Sequence, residues 1–295
     1  MSNDKKKILL VGGSGYLGTH LRNILSLSYN LFFTSITKKE NSIQLDILNK
    51  NTYCNIQNDN YDYIFILAST LQGLGTTALK EEYINLDTIG LSGFLQFASE
   101  NKLCDKIIYT SSMTVYGINN IIPVKEEGTL EPLSTYGLSK SLGEKIINFY
   151  CTSNLVKGVI LRIPGIYGGV RTSGYIYNTA LKCKKNKPVK LNSTSLGYWE
   201  TINVIDLCIW IKDFIEKYDW KAKVDIFNIG YGVKTDFIDC AYIIKDTLHS
   251  SSEITIAGNK GYIDFYLDNS KIKQFVPVEN LYRKSLENYL TTIKI

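Results

Sequence analysis

The stretch PLSTYGLSKSLGE, residues 132–144, sets the phenol of Tyr136 and the ammonium of Lys140 four residues apart. Four residues is about one helical turn, so on a helix both side chains leave the same face. A free phenol holds its proton up to about pH 10. A neighbouring cation stabilises the phenolate, which would make Tyr136 a usable proton donor or acceptor near neutrality. An inert surface helix can show the same spacing, so the pair acquires meaning only from the elements that place it.

Those elements alternate. Short runs rich in β-branched and aromatic residues at 7–11, 31–34, 43–45, 62–68, 106–111 and 157–163 read as strands. Their near-continuous apolar character suits a parallel sheet covered on both faces. Helical patterns occupy 15–27, 81–101 and 136–151, the first with Leu17, Leu21, Ile24 and Leu25 on one face. This alternation predicts an α/β chain, a doubly wound parallel sheet of the Rossmann type. Beyond Arg162 the character changes. Residues 165–203 are loop-rich with one helix near 175–185, 204–218 reads as helix, 224–229 as one more sheet strand, and 230–295 mixes short helices with the turn-rich GNKGY. The expected organisation is a dinucleotide-binding domain over 1–164, its sheet completed by about 204–229. A small C-terminal substrate lobe would comprise 165–203 and 230–295.

Gly12, Gly15 and Gly18 follow the first strand directly and open the first helix, in the spacing G-x-x-G-x-x-G. Glycines there permit a tight turn, a close approach of backbone N–H groups to a pyrophosphate, and close packing of helix on strand. The position between a strand and an amphipathic helix is the context such a loop requires. Asp46-Ile47 ends the third strand, where the carboxylate would either receive an adenine amino group or serve as a plain turn residue. After the second strand, LFFTSITKKE offers Thr34, Ser35 and Thr37 with Lys38 and Lys39, and no acidic residue for a ribose 2′-hydroxyl. That favours NADP(H) over NAD(H), the alternative being that these lysines are merely solvated.

Composition narrows the field. With 44% apolar and 21% charged residues in 295, the chain is of ordinary globular type. The net charge of +5 is carried in part by Lys5-Lys6-Lys7 and KCKKNK at 182–187. These read as solvated faces or as a mild attraction for a phosphorylated ligand, and no nucleic-acid module accompanies them. Six cysteines lie 25 to 50 residues apart with no Cys-x-x-Cys, and there are two histidines, His20 and His249, which argues against a metal site. Scattered cysteines fit a reducing, cytoplasmic setting. The opening KKKILLVGG is cut by glycines too early for a signal peptide, and no run reaches the roughly 18 apolar residues of a membrane span.

IIYTSSMTVYG ends the fifth strand with Ser111 and Ser112, and Tyr136 follows Ser112 by 24 residues. Together with the glycine triplet, Asp46-Ile47, FILAST, INLDTIGLSGFLQFA with Asn85 and Thr88, YGLSKSLGE, LRIPGIYGG and FNIG, the chain resembles the extended short-chain dehydrogenase/reductase family, in its nucleotide-sugar epimerase, dehydratase and reductase group. The resemblance implies a catalytic set of Ser112, Tyr136 and Lys140. Ser112 would hydrogen-bond the oxygen on the carbon that exchanges hydride, Tyr136 would move the proton, and Lys140 would also bind the nicotinamide ribose. It places Tyr16, Leu17, Ser35, Lys38, Leu67 and Ala68 with the glycines, Asp46 and Ile47 along the cofactor, and it implies that Asn85 orients the active-site backbone. Arg162, at a strand end, stays outside this set as a surface ion-pair partner, and Tyr116 is either packing or a substrate contact.

The resemblance also limits the reaction. Dehydratases of the family carry an Asp-Glu pair after the strand-end Ser or Thr, and the bifunctional epimerase-reductases carry a Cys there and a His in the lobe. This chain has Met113-Thr114, and no histidine between His20 and His249. Reduction of a 4-keto nucleotide sugar and C4 epimerisation remain, with the short segment before Asp46 and the lysines after the second strand favouring the reductase. A dinucleotide-sensing regulator is the non-enzymatic alternative. Trp199 stands where many members have a diphosphate-binding Arg, and Gly165 where many have Asn. Arg171, Asn178 and the KCKKNK lysines are candidate substitute substrate contacts. Homodimerisation through 81–101 and 136–151 is the expected assembly, with Phe94 and Phe97 serving either that surface or the core.

Overall fold

The computed structural model describes residues 5–56, 60–69, 79–117, 119–154, 156–191, 199–257, 265–276 and 281–293. In chain order the strands are β1 (Lys7–Val11), β2 (Asn30–Ser35), β3 (Ile43–Gln44), β4 (Tyr63–Ile66), β5 (Lys106–Ser112), β6 (Lys157–Ile163), β7 (Gly165–Tyr167), β8 (Val189–Leu191), β9 (Thr201–Asn203), β10 (Val224–Asn228) and β11 (Ile254–Ile256). The α-helices are α1 (Tyr16–Leu25), α2 (Glu81–Asn85), α3 (Leu91–Glu100), α4 (Thr135–Ser153), α5 (Tyr175–Lys184), α6 (Val204–Lys217), α7 (Phe237–Thr247) and α8 (Tyr282–Thr292). The GNKGY turn lies outside the described residues. No described helix is long and apolar enough to cross a membrane.

The chain separates into two compact units. The first comprises 1–117, 129–163 and 216–227; the second comprises 118–128, 164–215 and 228–295. A seven-stranded sheet in the order β10-β6-β5-β4-β1-β2-β3 forms the first unit. The pairings resolved from β3 through β6 are parallel. Strand order reverses on either side of β1, which has β2 on one flank and β4 on the other. That reversal opens the crevice at the strands' carboxyl ends where ligands of doubly wound sheets bind. Leu9, Val11, Ile64, Ile66, Ile107, Tyr109 and Ile160 line one face against Leu91, Phe94, Leu95 and Ala98 of α3 and Ile147 and Cys151 of α4. Alternate residues on the other face, among them Ile8, Leu10, Phe65, Ile108, Val159 and Leu161, are equally buried. Both faces are therefore covered, as the unbroken apolar strands require. Phe94 belongs to this core and Phe97 packs on it; both rings meet Tyr53.

The helix expected at 81–101 is interrupted. Leu86–Gly90 forms a π-turn between α2 and α3, with the Leu91 N–H reaching back to the Leu86 carbonyl. Such wide turns occur mostly singly and frequently at functional sites. Here the turn carries a buried acid, Asp87, in an otherwise apolar stretch.

In the second unit β7 pairs with β9 and β8 with β11, both in parallel. Glu200 is fully buried: Oε1 accepts the Gly232 N–H at 2.8 Å and Oε2 the Leu267 N–H at 2.7 Å. Burial pushes its carboxyl up to about 7, the backbone N–H groups opposing that shift. Asn228 Nδ2 donates to the carbonyls of Val124 and Asp268, fixing three separate segments of the unit to one side chain.

Candidate active site

The glycine loop sits in the crevice of the first unit. Gly12 has φ +81°, a conformation that favours glycine, and a Cβ there would lie 2.8 Å from the Ala68 nitrogen. A Cβ on Gly18 would lie 2.5 Å from the Gly13 Cα, so this glycine lets α1 close onto the loop. The Gly12 N–H is tied to Thr34 Oγ1 at 2.9 Å, which joins the loop to the end of β2. Gly15 caps α1 without a side-chain acceptor, and no acid occupies the first turn. The helix start therefore carries N–H groups and a positive dipole end, with no carboxylate of its own helix to quench them. This narrow, glycine-floored turn fits a pyrophosphate, and Gly12, Gly15, Tyr16, Leu17 and Gly18 are the residues that would hold it. Leu67 and Ala68 follow β4 beside Gly12. Ser35 is buried at the end of β2, and Lys38 is exposed in the loop beyond it. Asp46 uses Oδ1 to accept the Leu48 N–H at 2.9 Å, the turn alternative, and this leaves its other oxygen for a ligand. Ile47 is buried against the core of the same unit.

Ser112 closes β5 and leads into a short 3₁₀ turn at Met113–Val115. Its Oγ accepts the Thr114 N–H at 3.2 Å and the Thr114 hydroxyl at 2.9 Å, an arrangement that aims Ser112 by local hydrogen bonding. Met113 is buried, so no acid–base side chain stands beside Ser112 at that position. Helix α4 starts at a Ser134 cap whose Oγ accepts the Gly137 N–H at 3.1 Å. A Cβ on Gly137 would lie 2.2 Å from the Thr114 carbonyl oxygen. Only glycine lets the first turn of α4, which carries Tyr136, rest against the turn that follows Ser112. Tyr136 is half-buried and its ring meets that of Tyr83 edge-on, centroids 6.5 Å apart. The Tyr83 hydroxyl is buried with no hydrogen-bond partner among the described residues.

Lys140 is 1% exposed and its Nζ donates to Asp87 Oδ1 at 3.0 Å. The same oxygen accepts the Tyr109 hydroxyl at 2.9 Å, and Oδ2 accepts the Ser139 hydroxyl at 2.9 Å. Burial, reinforced by the Asp87 charge, raises Tyr109 well above the ordinary phenol range, so it stays a donor. One turn along α4, Glu144 receives Arg162 through Nε at 3.0 Å and Nη2 at 2.7 Å, and also accepts the Ser111 hydroxyl. Arg162 Nη1 donates to the Tyr116 hydroxyl at 2.8 Å. The surface role expected for Arg162 is thereby corrected: it is 2% exposed, because its partners come from α4 and from the turn after β5 and enclose it. Tyr116 packs there as the acceptor of that guanidinium.

Sequence reasoning missed Asp87, Tyr109, Ser139 and Glu144. A usable signal existed for two of them. Asp87 is a charge within the apolar run INLDTIGL, and Glu144 follows Lys140 by the same four-residue step that joins Lys140 to Tyr136. Asn85 donates to Glu81 at 3.1 Å on a partly exposed face of α2.

Arg171 and Asn178 belong to the second unit. Arg171 Nη1 donates to the Ile166 carbonyl at 2.9 Å, and Asn178 is exposed on α5. Of the KCKKNK lysines, Lys184 donates to the Ile293 carbonyl at 2.7 Å, an intramolecular tie. Trp199 packs on Phe265 with centroids 6.0 Å apart, and its Nε1 would lie 3.3 Å from a Cβ on Gly165. The two departures from the family's usual Arg and Asn are thus neighbours: the indole fills space that an asparagine at 165 would crowd. Among the described residues no group of three or more His, Cys, Asp or Glu is placed to hold a metal ion.

Comparison with known proteins agrees with this architecture. Residues 8–230 match the NAD dependent epimerase/dehydratase family. A putative UDP-glucose 4-epimerase of Methanocaldococcus jannaschii is 26% identical over 253 residues, 81% of each chain. A dTDP-4-dehydro-6-deoxyglucose reductase of Escherichia coli is 26% identical over 259 residues, 79% of this chain and 78% of that one. The crystal structure of a UDP-N-acetylglucosamine 4-epimerase from Bacillus cereus superposes with a TM-score of 0.84 at 19% identity, over 99% of this chain and 100% of that one.

Proposed function

Because the chain belongs to the NAD dependent epimerase/dehydratase family, we propose that it is an oxidoreductase acting at C4 of a nucleotide-linked sugar, and that it works as a 4-keto-sugar reductase in the synthesis of surface-glycan precursors. The observation that carries the reading is the placement of Tyr136 and Lys140 on α4, with Gly137 seated against the carbonyl of the turn that Ser112 opens. Ser112 orients the substrate oxygen, Tyr136 delivers a proton to it during reduction or removes one during oxidation, and Lys140 supplies the positive charge that makes the phenol competent. A bound nicotinamide would supply or accept the hydride. The first unit is the dinucleotide-binding part, and the second, with Arg171 and Asn178, is the substrate lobe.

NADP(H) is the preferred cofactor in this reading. Lys38 and Lys39 are exposed beyond β2 and can meet a 2′-phosphate, and the alternative is NAD(H). The buried Met113 beside Ser112 supports chemistry confined to C4, since neither elimination of water nor carbon-acid epimerisation has its acid or base there. C4 epimerisation with tightly held NAD is the second reading, supported by the similarity to UDP-glucose 4-epimerases. A homodimer is proposed on the stripe of Leu138, Leu142 and Phe149 along the outer side of α4, where Phe149 is 72% exposed.

Purified protein is mixed with GDP-, UDP- and dTDP-4-keto sugars and NADPH or NADH. Stoichiometric loss of reduced cofactor supports the reductase, whereas interconversion without net consumption supports the epimerase. Tyr136→Phe is expected to lower turnover by at least about 100-fold, the worth of positioned acid–base catalysis, while dinucleotide binding persists. Unchanged turnover would remove Tyr136 from the mechanism.

A further inference from the structure

One buried charge has no part in the chemistry just described. Asp87 lies in the π-turn between α2 and α3, and donors from two other elements meet its oxygens: Tyr109 from β5, and from α4 Lys140 and Ser139, whose hydroxyl is shared with the Tyr136 carbonyl at 2.9 Å. The Lys140 ammonium also rests over the Tyr109 ring, 4.9 Å from its centroid. A desolvated ammonium sheds its proton readily unless an anion accompanies it. Lysine has three N–H donors, and committing one to a locked carboxylate sets the direction of the other two.

We propose that Asp87 is a positioning residue of the active site: its carboxylate anchors the Lys140 ammonium and sets the pH range over which the Tyr136–Lys140 pair works. The inference rests on reading that pair as the acid–base machinery. Among the described residues, the other titratable groups around Asp87 and Lys140 are Tyr109 on β5, Tyr83 on α2, and Tyr136 and Glu144 on α4. Of these, Tyr109 donates to Asp87 itself, and Glu144 is taken up by Arg162 and Ser111. Asp87 is the anion bonded to Lys140, at 3.0 Å. An anion bonded to a buried ammonium favours the charged form, so removing the Asp87 charge is expected to move the working range to lower pH.

The test is Asp87→Asn in the full chain, which keeps the shape and removes the charge. The pH profile of turnover is expected to move down by about one unit or more. Dinucleotide affinity, measured by calorimetry without substrate, is expected to fall about tenfold, the worth of one charge-assisted hydrogen bond. Ser139→Ala leaves the carboxylate its charge but removes one donor, so the hold on the proton tightens and the profile moves the opposite way by a smaller amount. If Asp87→Asn does not fold, Ser139→Ala decides alone. A profile unmoved in the folded variants overturns the role of Asp87, whatever Tyr136→Phe does. Turnover unaffected by Tyr136→Phe overturns the acid–base reading instead, and the role of Asp87 falls with it.

Discussion

Removing the Arg162 guanidinium with Arg162→Met is expected to cost far more stability than a strand-end ion pair on the surface would. Its contact with Glu144 is bidentate at 3.0 and 2.7 Å, and both side chains are buried. Burial disfavours the guanidinium charge, but the bonds to Glu144 outweigh it and Arg162 is held more firmly protonated than usual. Methionine fills similar volume while leaving the Glu144 carboxylate buried with, among the described residues, the Ser111 hydroxyl as its remaining side-chain donor. Stranding one member of a buried pair costs about 3–5 kcal/mol, and exposed pairs contribute about 1 kcal/mol at most. At about 2–4 °C per kcal/mol for a chain of this size, the melting temperature should fall by about 10 °C. Urea unfolding at pH 7 measures the loss, and Arg162→Met with Glu144→Gln completes a double-mutant cycle. The double variant strands no charge, so it should recover at least about 2 kcal/mol relative to Arg162→Met alone. Equal losses in the single and double variants would refute the reasoning, because the cost would then come from lost packing rather than from an unpaired carboxylate.

Three further outcomes follow from the geometry. Glu200, pushed up to about 7 from a reference of 4.5, binds a proton more tightly folded than unfolded, so its contribution is complete below about pH 4.5 and is lost as pH rises to about 7. Melting curves from pH 5 to pH 8 should show the decline, on the order of 3 kcal/mol, and Glu200→Gln should abolish that part of the slope. Gly12→Val should reduce dinucleotide affinity by at least about 100-fold in calorimetry, since its side chain would meet the Ala68 backbone in a conformation valine avoids; retained affinity would show that the loop does not hold the pyrophosphate. Phe149→Glu on the exposed stripe should yield monomers in sedimentation and remove any concentration dependence of the melting temperature; an unaltered assembly would remove that face from the interface.

The patterns local to the chain were legible from sequence. β1 and β6 span the residues their apolar runs mark, α4 encloses the Tyr136–Lys140 spacing, and the glycine turn lies between a strand and a helix where its spacing puts it. Periodicity and glycine placement act over a few residues, so they are written in the chain itself. Partner choice is not. The π-turn in 81–101 turns Asp87 toward α4 and β5, and the enclosure of Arg162 depends on Glu144 and Tyr116, 18 and 46 residues away. Such contacts exist only once strands and helices have packed, and burial then converts an ordinary surface charge into one that must find its counter-charge. The sequence therefore determined which residues could do chemistry, and the tertiary structure decided which charges stand beside them.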